Sequence, residues 1–221
     1  MTTCCKSVCK VAFLFLLSFF FIRHAVAEEA YFKTVIDGDT IRIHDGKRVR
    51  LIGIDAPEIY DGNKMLWDSR KWEISKEEII ELGYSSRKFL QDIFKKSACS
   101  GKILLRFDRH YVYQGHKDKY GRKLAYVYVP WPADAEKDEN WVFEEIGGRD
   151  YVFTNATLLK AGYALVHFYS ECEKKQIFIG YEEEARLQKR GLWNVEKGYS
   201  HTWEQILKMR KPSSSGYKIV Y

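Results

Sequence analysis

The chain has 221 residues, with 36 lysines and arginines against 30 aspartates and glutamates, and its formal net charge is +6. This length suits one domain with insertions and argues against two separate domains. The basic excess is too small to indicate nucleic-acid binding by itself, so any such function must be argued from individual side chains.

The first segment has the organisation of a secretory signal. Lys6 and Lys10 precede an apolar run over residues 11–22, and the small residues Ala25-Val26-Ala27 follow. The alternative is an uncleaved membrane anchor, but a dozen apolar residues fall short of the roughly 20 that span a bilayer. We therefore predict a signal peptide over residues 1–27, cleavage after Ala27, and a secreted or periplasmic protein with no stable membrane association.

Cleavage would remove three basic residues and no acid, which lowers the formal net charge from +6 to +3. Two cysteines, Cys99 and Cys172, remain in the mature chain, and an oxidising destination would permit them to pair. Because the sequence does not show whether their Cα atoms approach within the roughly 7 Å limit, a disulfide and two free thiols both stay open.

The mature chain begins with a predicted meander of three strands between Tyr31 and Ile54. Short stretches of alternating apolar and polar residues are separated there by the turn signals Asp37-Gly38-Asp39 and Asp45-Gly46. Two further strands are predicted over residues 102–107 and 124–129. Five short strands with few helices indicate an α+β fold built on a small closed or partly closed barrel.

Three helices are predicted, over residues 85–96, 155–161 and 174–190. Two segments, near residues 59–80 and 130–151, look like insertions into a compact core. The predicted domain therefore spans residues 28–193, and residues 194–221 form a C-terminal extension with linker-like composition.

Four acidic residues lie in the first meander: Asp37, Asp39, Asp55 and Glu58. A sheet that folds back on itself would bring them to one end, where clustered carboxylates repel one another unless a cation lies among them. Oxygen ligands suit a hard cation such as Ca²⁺ or Mg²⁺. The alternative is that Asp37 and Asp55 are only turn residues.

Two arginines accompany these acids. Arg50 lies in the strand that leads to Asp55, and Arg122 directly precedes the fifth strand. One interpretation is that each arginine only forms an ordinary salt bridge with a neighbouring carboxylate. A planar guanidinium is also the best side chain for forked contacts with phosphate oxygens.

Several runs of residues together resemble the staphylococcal nuclease, or thermonuclease, family. The resemblance covers about residues 30–193 and is carried by residues 36–40 (IDGDT), 49–58 (VRLIGIDAPE), 118–126 (DKYGRKLAY), 158–164 (LLKAGYA) and 190–193 (RGLW). It implies a five-stranded OB-type barrel with about three helices, an endonuclease that cuts DNA and RNA with Ca²⁺, and 3′-phosphate products. We expect a monomer.

The resemblance also implies roles for individual residues. By position, Asp39 and Asp55 resemble the metal carboxylates, and Ala56 would add a backbone carbonyl where the family's type member has threonine. Glu58 resembles the residue that orients or deprotonates the attacking water, Arg50 and Arg122 the pair that binds the scissile phosphate, and Lys119 and Tyr120 the contacts to a neighbouring phosphate.

Base stacking is implied less directly. The stacking tyrosines of the family align loosely with residues 167–169, and the candidates here are Tyr163 and Tyr169. Both tyrosines are equally open to interpretation as core aromatics.

Two other functions compete with the enzyme. One is a catalytically silent OB-type module that binds nucleic acid or protein, and the other is an exported structural domain whose acids bind Ca²⁺ only for stability. The joint presence of the acids and of both Arg50 and Arg122 favours the nuclease.

Overall fold

The structure is a computed structural model that describes residues 27–72, 75–97, 101–167 and 170–194. Residues 1–26, Cys99, Tyr169 and all but the first residue of the C-terminal extension lie outside this part, so the predictions made for them stay predictions. In the described part, no helix combines the length and apolar character needed to cross a membrane.

The described residues form nine strands, four α-helices and two short 3-10 helices. The strands are β1 (Ala27–Val35), β2 (Thr40–Ile43), β3 (Arg48–Leu51), β4 (Ile54–Asp55), β5 (Lys102–Arg106), β6 (Lys123–Pro130), β7 (Phe143–Ile146), β8 (Arg149–Phe153) and β9 (Leu165–Val166). The α-helices are α1 (Asn63–Trp72), α2 (Lys76–Lys96), α3 (Thr154–Lys160) and α4 (Lys175–Leu187), and the 3-10 helices are Arg109–Gln114 and Gly191–Trp193.

Five of the strands close into a barrel. They are hydrogen-bonded in the order β3-β2-β1-β5-β6, and β3 pairs in parallel with β6 to close the ring, with Val49 beside Lys123 and Leu51 beside Ala125. The prediction of a five-stranded OB-type barrel within an α+β fold is therefore confirmed. The barrel strands coincide with the five strands predicted from alternating apolar residues.

The burial pattern explains why these strands form. In β2, Ile41 and Ile43 are buried while Arg42 between them is exposed, which is the alternation of a strand with one face on the core. In contrast, β6 is buried at every residue from Leu124 to Pro130, because it is paired with β3, β5 and β8. This continuous burial makes β6 the centre of the core.

The sheet extends beyond the barrel through a hairpin of β7 and β8, which lies in the predicted insertion near residues 130–151. Gly147 and Gly148 form its turn with φ values of 61° and 76°, a conformation that tight hairpin turns require and that glycine adopts easily. The hairpin pairs with the end of β6, where Val129 lies opposite Val152.

Helix α2 begins at Lys76, nine residues before the predicted start at Ser85, and this part of the prediction was wrong. Ser75 caps the helix reciprocally with Glu78, whose backbone N–H donates to the Ser75 hydroxyl while its carboxylate accepts from the Ser75 backbone. The added turns bury Ile79 and Leu82 against Met65 of α1. Apolar contact between the two helices therefore stabilises this longer helix.

Helix α3 fixes the strand end that carries the candidate site. The buried Asn155 side chain accepts a hydrogen bond from the Val127 N–H of β6 (2.9 Å) and donates to the Ile52 carbonyl after β3 (2.9 Å). The following strand β4 pairs with β9, with Asp55 opposite Leu165. The position of Asp55 is thus set by hydrogen bonds on both sides of the chain.

Candidate active site

A cleft of about 1130 Å³ opens where β2, β3, β4 and the segment before β6 meet. The five charged residues expected from the sequence to act together all line this one cleft: Asp39, Arg50, Asp55, Glu58 and Arg122. Ala56, Lys119 and Tyr120 line it as well. The structure thus brings together every predicted site residue within the described part except Tyr163.

Strand register accounts for this convergence. Thr40, the first residue of β2, pairs with Arg50 of β3, and the Leu51 N–H donates to the Asp39 carbonyl (2.9 Å). Arg50 also lies beside Leu124 of β6, two residues after Arg122. Residues far apart in the chain are therefore placed side by side by backbone pairing.

Arg50 bridges two carboxylates in the cleft. Its Nη1 contacts Asp39 Oδ2, and its Nη2 donates to Asp55 Oδ1 (3.1 Å). Only 14% of the Arg50 side chain is exposed, and burial lowers its pKa, an effect opposed by Asp55 and reinforced by the nearby positive charge of Arg122. Because an arginine remains protonated well above neutral pH, the bridge keeps its charge.

Asp39 is held by neighbouring donors. The Thr40 hydroxyl donates to its Oδ1 (2.9 Å), and the Ala56 N–H donates to its Oδ2 (3.0 Å). The preceding Gly38 makes this approach possible, since a Cβ there would lie 2.5 Å from the Cβ of Ala56 and 2.7 Å from that of Ser86. The glycine of the Asp-Gly-Asp run is therefore a packing requirement.

Arg122 is oriented by Asp118. The Arg122 Nε donates to Asp118 Oδ2 (2.6 Å), and Asp118 Oδ1 accepts from the backbone N–H groups of Tyr120 (2.9 Å) and Arg122 (3.0 Å). The Nη1 of Arg122 lies 3.5 Å from the Thr40 hydroxyl. Sequence reasoning assigned no role to Asp118 or Thr40, although both lie inside the runs that carried the family resemblance.

Lys119 and Tyr120 form the exposed rim beside Arg122. The Lys119 Nζ lies 5.2 Å from the centroid of the Tyr120 ring, and the Arg122 Cζ lies 5.5 Å from it. Arg48 Nη2 is 3.4 Å from the Tyr120 carbonyl. These side chains place positive charge and one aromatic face at the entrance of the cleft.

Tyr163 lies away from the cleft. Its ring stacks on Phe89, with centroids 4.2 Å apart and an angle of 13° between the planes, and burial raises the pKa of its hydroxyl. The geometry therefore favours the interpretation of Tyr163 as a core aromatic over a base-stacking role. Tyr169 lies outside the described residues, while His167 lines the cleft.

The donor set at the floor of the cleft fits a hard cation. Asp37, Asp39 and Asp55 all line it, and Asp37 Oδ1 accepts from the Asp39 N–H (3.1 Å). Burial raises the pKa of Asp37 despite the opposing charge of Arg50, which indicates that more positive charge would be accommodated here. Within the described residues, however, no three side chains of His, Cys, Asp or Glu form a ready-made metal cage. The predicted ligand set contains only two such side chains, Asp39 and Asp55, and its third member is the backbone carbonyl of Ala56.

Comparison with known proteins adds an independent observation. Residues 48–195 match a family model described as "Staphylococcal nuclease homologue". The chain is 32% identical to the thermonuclease of Staphylococcus intermedius over 173 residues, which covers 76% of this chain and 78% of that protein. It is 32% identical to endonuclease YncB of Bacillus subtilis over 169 residues, covering 74% of this chain and 60% of that protein.

A further relative is an uncharacterized endonuclease of Escherichia coli O157:H7, 28% identical over 163 residues, with 72% of this chain and 73% of that protein covered. The region matched by the family model contains Arg50, Asp55, Glu58 and Arg122. Because that match extends over more than half of the chain and includes strands that build the cleft, we conclude that the chain belongs to the staphylococcal nuclease family.

Proposed function

We propose that this protein is an exported nuclease that hydrolyses phosphodiester bonds of DNA or RNA with Ca²⁺ and leaves 3′-phosphates. The observation that carries the proposal is the meeting of two guanidiniums, Arg50 and Arg122, with the acids Asp39, Asp55 and Glu58 in one cleft. The names of the thermonuclease and endonuclease relatives support the same activity.

The two arginines suit a phosphate under attack. Negative charge grows on the phosphate oxygens in the transition state, and donors aimed at that point lower its free energy more than that of the ground state. Arg122 is held at its Nε by Asp118, and Arg50 is held between two carboxylates. The positive charge of Arg122 contributes to the lowered pKa of Arg50, so an anion bound beside both guanidiniums would be favoured.

Glu58 supplies the base. Its carboxylate lines the cleft and orients a water molecule, whose proton it accepts as the water oxygen forms a bond to phosphorus. The bond from phosphorus to the 5′ oxygen then breaks, and this oxygen takes a proton from solvent. The phosphate stays on the 3′ oxygen of the preceding nucleotide.

Asp39, Asp55 and the Ala56 carbonyl are the groups that would hold Ca²⁺. When bound, the ion would neutralise developing charge on the phosphate and increase the acidity of the attacking water. Lys119 and Tyr120, at the rim of the same cleft, would contact a neighbouring phosphate.

Digestion of single-stranded DNA by the purified mature protein tests this function. We expect cleavage with Ca²⁺, none with a chelator, and fragments whose 3′ ends become extendable only after phosphatase treatment. Equal rates with and without the chelator would remove the metal from the mechanism. Tight binding without any cleavage would support the silent binding module instead.

Export is tested separately. Mass spectrometry of protein recovered from the periplasm or the medium should show a chain that begins at Glu28. A full-length chain that stays with the membrane would contradict cleavage after Ala27.

A further inference from the structure

One wall of the cleft is formed by residues 109–119, which we call the tyrosine loop. It consists of the 3-10 helix Arg109–Gln114 and the turn that returns to β6. Three residues of this 3-10 helix, His110, Tyr111 and Gln114, line the cleft together with Lys117. The loop therefore borders the same space as the two arginines.

The base of the tyrosine loop is fixed by Asp108, whose carboxylate is fully buried. One oxygen accepts from the His110 N–H (2.9 Å), and the other accepts from the Tyr126 hydroxyl and from the Glu173 N–H (2.7 Å). These bonds tie the start of the loop to β6 and to the segment before α4. Side chains on the loop are thus presented from a rigid base.

The end of the loop is fixed equally well. Gly115 and His116 both have a positive φ, 58° and 54°, and they reverse the chain so that the His116 N–H donates to the Tyr111 carbonyl (2.9 Å). The Leu124 N–H of β6 donates to the His116 carbonyl (2.8 Å). Both ends of the tyrosine loop are therefore hydrogen-bonded to the barrel or its neighbours.

Tyr113 stands at the tip of this fixed loop and is completely exposed, with a relative accessibility of 101%. In a 3-10 helix, side chains three residues apart lie one above the other, so Tyr113 is on the same helical face as His110, which lines the cleft. A fully exposed aromatic ring does not stabilise the fold by burial. Its position on an anchored loop that borders the cleft leaves the ring available to contact a ligand bound there.

The charge around the loop identifies the ligand class. Arg48, Lys117 and Lys119 line the adjoining rim of the cleft. Neither Lys117 nor Lys119 forms an ion pair with a carboxylate in the described part of the chain. Cations that follow a backbone, combined with an aromatic ring for the bases, are the usual features of a surface for single-stranded nucleic acid.

We propose that Tyr113 stacks on an unpaired base of the strand whose scissile phosphate lies between Arg50 and Arg122. The inference rests on the proposed function, because it takes nucleic acid as the ligand of the cleft. It assigns base stacking to a 3-10 helix for which the sequence predicted no role, whereas Tyr163 packs in the core.

Binding of a labelled single-stranded 12-mer to the mature protein, with a chelator present to prevent cleavage, tests the proposal. The variants are Tyr113→Ala, Tyr113→Phe, which keeps the ring, and Tyr84→Ala, which removes a half-exposed tyrosine of α2 away from the cleft. We expect Tyr113→Ala to weaken affinity by about 5- to 150-fold, the range for one lost base stack. Tyr113→Phe should stay within about twofold of wild type and Tyr84→Ala should equal it.

A second oligonucleotide with the same phosphates and no bases separates stacking from charge. Tyr113→Ala should bind this abasic strand as wild type does. Unchanged affinity of Tyr113→Ala for the normal strand, or an equal loss on both strands, would overturn the proposal. Cleavage by the wild-type protein is measured separately, so failure of the nuclease function would appear as absent cleavage, whereas failure of the stacking inference would appear only in the binding of Tyr113→Ala.

Discussion

The floor and the rim of the cleft are built in opposite ways. On the floor, the side chains of Asp39, Arg50 and Asp55 are at most 14% exposed, and each is fixed by ion pairs and hydrogen bonds to neighbouring strands. On the rim, Tyr120 is 63% exposed, and a loop rather than a strand carries it, as a loop also carries the completely exposed Tyr113. Buried charges in fixed positions interact strongly with the charge that develops on a reacting group. Exposed rings and cations contribute mainly to the affinity for the substrate.

This difference predicts two kinds of mutational effect. Changes on the floor should alter turnover or the stability of the fold, because the groups there act on the reacting phosphate and hold one another in place. Changes on the rim should weaken substrate binding and leave turnover nearly unchanged. Four substitutions test this distinction, in order of decreasing effect.

Arg122→Ala should have the largest effect. It removes a donor to the transition state, and we expect kcat to fall by about a hundred- to a thousand-fold. Steady-state kinetics on single-stranded DNA measures the change. The matched control is Arg149→Ala, which removes an exposed arginine from the β7–β8 hairpin outside the cleft. A similar loss in both variants would mean that net charge, rather than position, matters.

Gly38→Ala tests the packing beneath Asp39. The added Cβ would lie 2.5 Å from the Cβ of Ala56, and overpacking of this kind costs about 1–3 kcal/mol of unfolding free energy. Urea unfolding measures the cost. Gly62→Ala is the control, because no atom lies within 4 Å of the Cβ that would be added there. If both variants were equally stable, the close approach at Gly38 would be wrong.

Asp37→Asn tests the cost of burying the Asp37 carboxylate on the floor of the cleft. Burial raises the folded-state pKa of Asp37 above its unfolded value, so the ionised carboxyl costs stability at neutral pH, and this cost disappears as the pH falls through the raised pKa. In metal-free buffer, Asp37→Asn should therefore be more stable than wild type at neutral pH, and the two should converge in mild acid. Urea unfolding at several pH values measures the difference, and a variant that is less stable at neutral pH would contradict it.

Lys119→Ala should have the smallest effect and belongs to the rim. Loss of one phosphate contact should weaken binding of single-stranded DNA a few-fold and reduce the slope of log K against log salt by about 0.7, with kcat unchanged. Lys33→Ala, on the exposed side of β1 away from the cleft, changes the net charge equally and is the control. A fall in kcat for Lys119→Ala would place the residue in the chemistry rather than in binding.

The sequence predicted the barrel well because its strands are bounded by turn signals and, except in the buried β6, alternate between buried and exposed residues. It predicted only the second half of α2, because residues 59–80 were interpreted as an insertion and Gly83 separates them from the predicted helix. A Cβ at Gly83 would lie 2.8 Å from the carbonyl oxygens of Pro57 and Glu58, so tertiary packing requires glycine there. The capping residues Ser75 and Glu78 were the available signal for the true start.

The candidate site was likewise only partly predictable from the sequence. The residues that meet in the cleft were identifiable from their motifs, since register in a closed barrel brings them together. The fixing of Arg122 by Asp118 and the exposure of Tyr113 were not identifiable, because both depend on how a loop of this chain folds against β6. Likewise, the sequence predicted an insertion near residues 130–151 but did not predict the paired hairpin within it, whose turn is formed by Gly147 and Gly148.

The most direct test of the shared site is the activity of the double variant Glu58→Gln with Arg122→Ala. If both side chains act on the same phosphate in one step, the double variant should lose about as much activity as the more damaged single variant, because the losses of groups that act as a unit do not add. Rates of DNA cleavage by the wild type, the two single variants and the double variant provide the comparison. Losses that multiply would show that the two residues act independently, and full activity in either single variant would remove that residue from the reaction.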